Sequence, residues 1–354
     1  MKPTATKRDT ALDIIRCFAL FFVISIHFFK HSGFYDTPVH GMAMFFMVLI
    51  RSVSMICVPL FLLLTGYLNK SRQLDGKALK KLGTILLTYL LASMVCYGYR
   101  VLFVGELFSV FTFLLELFSY NAAPYSWYVA MYIGLSLLAP FCNTLFAGLD
   151  KRGRLKLILV LVFLSSGPSF FNLILPLSPE YWLCLYPFAL YFIGAYIREY
   201  PPTWSRGSIA LQLAFAVAVT AAFNFKRSYP GTFGYGIINE YNGIAQFIMA
   251  VLFFCLMQRL DYSRLRPGFC RFLGKISQLV FGAYLVSWVF DTIGYGILTS
   301  RVPTVPERFA YYPVMVVAIF AASLPTSWMI SIIQKKLQLL LTKIVKFTKK
   351  FTIR

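Results

Sequence analysis

The sequence predicts an all-α integral membrane protein, a bundle of about ten transmembrane helices with both chain termini on the cytoplasmic side. Three observations carry that expectation. Hydrophobic residues make up 59% of the 354-residue chain and charged residues only 13%, a balance that a water-soluble domain of this size does not show. The apolar residues arrive in repeated stretches of about twenty, the length an α-helix needs to cross a hydrocarbon layer of ~30 Å. They are apolar on every face, as in 155–173 and 209–225, which excludes the period-two alternation of barrel strands.

Taken in order, the expected spans are 11–30, 43–67, 79–104, 127–148, 155–173, 181–198, 207–225, 241–260, 275–297 and 308–333. The first follows a basic start and superficially resembles a secretion signal. Asp13 and Arg16 interrupt its apolar run and no small-x-small cleavage site follows, so it is read as a helix that stays. Segment 105–120, with Glu106 and Glu116, is expected to be a partly inserted or interfacial helix on the outer side. Residues 1–333 form one transmembrane domain in this reading, and 334–354 a basic cytoplasmic tail.

The linkers fix the orientation. Lys2, Lys7 and Arg8, the cations from Lys70 to Lys81, those from Lys151 to Lys156, Arg198 with Arg206, those from Arg259 to Lys275, and the tail together hold 26 of the 34 basic residues, all on one side. The positive-inside rule makes that side cytoplasmic and the protein a multi-pass component of the cell membrane. The net charge of +21 is therefore topological, and no nucleic-acid partner is expected. The seven cysteines lie mostly within spans, without CxxC or zinc spacing, and read as small apolar residues.

Function has to come from polar groups that the bilayer makes costly. The first span carries Asp13, Arg16, His27 and His31. Eleven residues at 100° each make three turns plus roughly 20°, so Arg16 and His27 share a face about 16 Å apart along the axis. That strip has a fixed cation toward the cytoplasm and a titratable imidazole toward the outside. Structural alternatives are Arg16 pairing with Asp13 one turn back, and His27 bonding a neighbouring helix. His31 reads as interfacial, and with no acid or cysteine beside it the His27–His31 pair is not read as a metal site. Arg51 is the other unusual charge in a span, either a stabiliser of a developing oxyanion or one half of an ion pair with Asp291 or another acid.

Four segments together resemble one family. Asp13-Ile14-Ile15-Arg16 followed by ten residues and His27 is similar to the opening arginine-x10-histidine signature of the bacterial membrane acyltransferase-3 family. Val58-Pro59-Leu60-Phe61 leading to Thr65-Gly66-Tyr67, Ser126-Trp127-Tyr128 leading to Leu138-Ala139-Pro140, and Ile276-Ser277 with Phe281-Gly282-Ala283-Tyr284-Leu285 match its later motifs in the same order. The resemblance spans nearly the whole chain. It departs at Ser287, where many relatives carry a second histidine, and at Thr65, where serine is commoner. Asp291, one turn past Ser287, could fill part of the space that the missing histidine leaves.

The resemblance implies transfer of an acyl group, usually acetyl, from cytoplasmic acyl-coenzyme A to a sugar hydroxyl of an envelope polysaccharide or its lipid-linked precursor. His27 would be the general base, since a neutral imidazole suits that role at physiological pH. Arg16, Arg72, Lys80 and Lys81 would hold the nucleotide phosphates as charge-assisted donors. Trp127, Tyr125 and Tyr128, at the outer end of the fourth span, and Glu240 and Asn242, at the outer end of the eighth, are candidate sugar contacts, with Ser287 and Asp291 nearby. The bilayer, acyl-coenzyme A and an envelope glycan are the expected partners, and no metal cofactor is expected. The competing readings are a transporter or flippase of polysaccharide units and a non-catalytic membrane sensor. Against the transporter, no matching pair of broken helices appears in two halves, and the polar residues concentrate in the first two spans.

Overall fold

The computed structural model describes residues 9–69, 73, 75–172, 175, 177–234 and 239–352, with side chains as far as 343. Fourteen α-helices follow in order: α1 Thr10–His31, α2 Gly41–Ser54, α3 Cys57–Asn69, α4 Gly76–Tyr99, α5 Val110–Phe118, α6 Trp127–Ala147, α7 Lys151–Ser166, α8 Pro168–Phe171, α9 Tyr186–Glu199, α10 Arg206–Ser228, α11 Ile244–Arg259, α12 Pro267–Arg301, α13 Val305–Phe309 and α14 Tyr312–Thr352. No strand occurs among the described residues beyond one isolated bridge between Pro38 and Thr232. The protein is an all-α, multi-pass membrane protein.

Among the described residues, eight helical stretches are long and apolar enough to cross a membrane: Thr10–His31, Gly41–Asn69, Gly76–Val104, Trp127–Ala147, Lys151–Phe171, Arg206–Ser228, Pro267–Arg301 and Tyr312–Lys343. Two expected spans take other forms. Over 181–198 a 3-10 segment, Glu180–Leu185, precedes α9, with Pro179 before the segment and Pro187 in the first turn of α9. Over 241–260 the α-helix starts only at Ile244, after the turn that ends at Gly243, and is 16 residues long.

Proline explains the other irregularities. The span expected at 43–67 breaks at Met55–Ile56, because Pro59 has no N–H to offer the Met55 carbonyl, and the ladder resumes with Leu60 donating to Ile56. Pro140 in α6 and Pro325 in α14 lie within helices that continue past them. The last helix runs through residue 333 to Thr352 without a break.

α1, α2–α3 and α12 make the inner layer, whereas α10 and the outer faces of α4, α6, α7 and α14 stay bare and apolar, as lipid-facing helices do. α1 is capped by Asp9, whose carboxylate accepts from the Ala11 and Leu12 amides. It packs against α3, α12 and α14 and so runs through the centre. α3 crosses α9 at backbone contact. A Cβ on Gly66 would fall 1.8 Å from the Tyr191 carbonyl oxygen, and one on Gly194 would fall 2.1 Å from that of Leu63. The family-like Thr65-Gly66-Tyr67 segment thus needs its glycine for close helix approach.

On the His31 side, Arg100 closes α4 in a π-helical turn and grips Glu106 at 2.6 Å and Glu116 at 2.8 Å, pinning the 105–120 segment to α4. Tyr97 and Tyr89 add hydroxyl donors to the Ser109 and Leu117 carbonyls. These ties are polar, while Leu107, Phe108, Phe111 and Phe118 remain exposed.

Candidate active site

The close approach of α3 and α9, with α4 and α6 standing off α1, leaves a cavity of about 290 Å³ walled by α1, α3, α4, α6 and α12. Arg16 and Lys81 line one end of it, and His27, Trp127 and Tyr241 the other. Between them the wall is aromatic and hydroxyl-bearing, with Thr65, Tyr132, Ser277 and Tyr284 among the lining groups. The stripe of α1 picked out by helical spacing therefore faces one continuous passage.

His27 is 12% exposed and turns its Nδ1 to within 3.0 Å of Asp291 Oδ2 on α12, a carboxylate wholly out of solvent. The two are close without the alignment of an ideal hydrogen bond, a looseness common before substrate binds. Asp291 Oδ2 also accepts from the Tyr125 hydroxyl at 2.9 Å, while Oδ1 has no hydrogen-bond partner among the described residues. The Tyr125 ring stacks on the imidazole with centroids 3.7 Å apart. Since the single Tyr125 proton points at Asp291, the 2.8 Å contact with His31 Nε2 is one in which His31 donates. Burial, and then the negative Asp291, hold the Tyr125 phenol above its ordinary pKa, so it remains a donor.

At the other end Arg16 donates to Asp13 Oδ1 at 2.9 Å and to Ser277 Oγ at 3.3 Å, and Ser277 donates to Asp13 at 2.8 Å. The local pairing with Asp13 that spacing allowed is formed, and the guanidinium still borders the passage with 28% of its side chain exposed.

The chain matches the family model for the acyltransferase-3 acyltransferase domain over residues 9–331. The chain belongs to the acyltransferase-3 family. Comparison with curated proteins and with solved structures gave no match. Membership makes the protein a membrane acyltransferase, and the matched range contains every residue of the cavity wall.

The other expected site residues of this acyltransferase divide into two groups. Trp127 is 43% exposed and stacks on Tyr241 at 5.6 Å, Tyr128 is buried beneath it, and both line the cavity. Lys81 lines its mouth, whereas neighbouring Lys80 is exposed outside it and Arg72 lies outside the described residues. Glu240 is exposed, and the Asn242 carbonyl accepts from Ser166 in a buried contact. Neither is in the wall, which Tyr241 between them provides. Ser287 is buried and bonds the Tyr284 carbonyl of its own helix.

Arg51 also stands outside the wall. Its Nε donates to the Tyr35 hydroxyl at 3.1 Å and a terminal nitrogen to the Asn239 carbonyl at 3.2 Å, with the guanidinium 4.5 Å from the centroid of Phe233. The ion pair with Asp291 that the sequence allowed is not formed, because Asp291 is taken by His27 and Tyr125. Spacing did not suggest the His27–Asp291 contact, nor Tyr125 as its third member. The one available signal was that Asp291 is the sole acid in its span.

Among the described residues, no group of three or more histidine, cysteine or acidic side chains could hold a metal ion.

Proposed function

We propose that this acyltransferase moves an acyl group, acetyl in the simplest case, from cytoplasmic acyl-coenzyme A to a hydroxyl of an envelope sugar on the opposite side of the membrane. The observation that carries the proposal is the single cavity bordered by Arg16 and Lys81 at one end and by His27 and Trp127 at the other. Coenzyme A is polyanionic and does not cross a bilayer, but its thin pantetheine arm can lie along the roughly 16 Å between Arg16 and His27. The basic mouth would hold the phosphates while the thioester reaches the imidazole.

In the proposed step the acceptor oxygen attacks the thioester carbonyl carbon and gives its proton to His27. The carbon–sulfur bond then breaks, and the thiolate takes that proton back, leaving an ester and free coenzyme A. The proximity of Nδ1 to Asp291 supports a tautomer with the proton on that nitrogen, so that Nε2 is the base. Asp291, fixed by Tyr125, would orient the ring and stabilise its protonated form, as a positioning residue. The stacked Trp127–Tyr241 pair at the mouth suits a sugar ring. Arg51, held by Tyr35, Asn239 and Phe233, is assigned to supporting the outer loops rather than to the reacting atoms.

The test is release of free thiol from acetyl-coenzyme A by purified protein in the presence of envelope glycan. His27→Ala is expected to lower it by about 10²-fold or more. Unchanged release, or glycan movement across vesicles without any thiol, would overturn the reading.

A further inference from the structure

A second concavity lies on the other side of α1 and shares no lining residue with the cavity that holds His27. Ile14, Cys17, Phe18 and Phe21 form its α1 wall. At 100° per residue this stripe points about 150° away from the one carrying Arg16, Val23 and His27. The groove has a volume of about 730 Å³. Met257 at the end of α11, Leu273 on α12, and Val317 and Phe320 on α14 complete it. It is apolar through its depth and opens sideways beside bare faces, with Phe18 39% and Val317 57% exposed.

Polar groups collect at one rim, in the loop between α11 and α12. Asp261 spends its carboxylate on the Ser263 amide at 2.9 Å, and the Tyr262 hydroxyl donates back to the Met257 carbonyl at 2.8 Å. Leu265 lines the groove, and Arg264 and Arg266 flank it, both exposed. Arg271 and Lys275 follow on the first turns of α12, also exposed. None of these four cations has a hydrogen bond or ion pair among the described residues. A long apolar trough thus ends at a loop whose exposed cations have no side-chain partner among the described residues.

We propose that the groove is a binding site for an anionic phospholipid of the leaflet beside this loop, with one acyl chain against Phe18 and Val317 and the phosphate at Arg264 and Arg266. A soluble ligand has no route to a trough that opens into lipid. A zwitterionic lipid fills the trough equally well but leaves the rim charge uncompensated. The site is independent of the acyl-transfer reading, since the two concavities lie on opposite faces of α1.

The test uses the full chain in bilayers with trace phosphatidylglycerol carrying a photoreactive acyl chain, or the matching phosphatidylcholine, and maps crosslinks by mass spectrometry. The anionic probe is expected to label groove peptides above the convex α10 surface around Leu211 and Phe215, and to exceed the zwitterionic probe by about fivefold for each arginine engaged. Arg264→Gln with Arg266→Gln should abolish the head-group preference and leave thiol release at the wild-type level. Leu273→Trp, which fills the trough, should remove labelling by both probes. Groove labelling no greater than that of α10, or equal for the two head groups, would overturn the proposal.

Discussion

His27 and Asp291 meet at 3.0 Å although 264 positions separate them in the chain, and Tyr125 touches both, stacked on the imidazole and hydrogen-bonded to the carboxylate. Three elements, α1, α12 and the loop before α6, therefore converge on one ring nitrogen. Asp291→Asn keeps the volume and removes the negative charge that holds the ring. Its expected effect is a fall in kcat of between about 10²- and 10⁴-fold, with little change in KM for acyl-coenzyme A. Tyr125→Phe, which deletes one of the hydrogen bonds to Asp291, should lose less. Steady-state thiol release on both variants gives the comparison, and an Asp291→Asn enzyme of wild-type kcat would remove the carboxylate from the mechanism.

The basic mouth should act on donor binding rather than on chemistry. Arg16 is partly buried and already tied to Asp13 and Ser277, so Arg16→Gln loses charge-assisted contacts, each typically about 1.5–3 kcal/mol, and should raise KM for acyl-coenzyme A by ten- to a hundredfold. Lys81 is solvent-exposed, where screening limits an ion pair to about 1 kcal/mol or less, and Lys81→Gln should cost only a few-fold. The Lys81 effect should shrink further as salt is raised. KM measured at two ionic strengths separates the two residues.

Helix α1 shows what could be read from sequence and what could not. Arg16 and His27 share a face because helical geometry relates residues within one element, and the cavity lies along that face. The lipid-facing stretches and the helix around Glu116 are equally legible, since both follow from local hydropathy. Asp291 enters the sequence reading only as a possible Arg51 partner and as a neighbour of the missing histidine, and its pairing with His27 is not recoverable there, because pairing between distant helices depends on their rotation and depth. Arg51 illustrates the same limit. Its place inside a span makes it a candidate, yet its direction is set by Tyr35 and Phe233, contacts that no periodicity encodes. Prolines split α2 from α3 and shorten α9, and the turn ending at Gly243 delays the start of α11.

Gly66 offers a test of packing alone. Its missing Cβ would overlap the Tyr191 carbonyl, and neither backbone can withdraw without parting α3 from α9. Gly66→Ala is expected to destabilise the protein by about 1–3 kcal/mol, the usual cost of overpacking, or to prevent its accumulation. Gly83→Ala, on an α4 face with nothing within 4 Å, should be neutral or stabilise by up to about 1 kcal/mol. Thermal unfolding in detergent ranks the pair, and equal behaviour would contradict the backbone contact.

The clamp on the 105–120 segment should depend on pH in one direction. Hydrogen bonding to Arg100 holds the Glu106 carboxyl below its ordinary pKa, outweighing the small opposing effect of burial. A carboxylate whose folded pKa is depressed contributes stability that is fully present above its unfolded value, near 4.3, and lost as pH falls through the folded one. Hydrogen exchange in 105–120 should therefore be slow and flat from neutral pH down to the ordinary glutamate range, once corrected for the intrinsic pH dependence of exchange, and should accelerate below it. Glu106→Gln should raise exchange at neutral pH toward the acid level and weaken its dependence on acid, since the Arg100–Glu116 pair remains. Arg100→Gln should do so more strongly, because it releases Glu106 and Glu116 together. An acid-independent profile in the unaltered chain would mean that the exposed apolar side chains, buried in lipid, hold the segment down without the clamp.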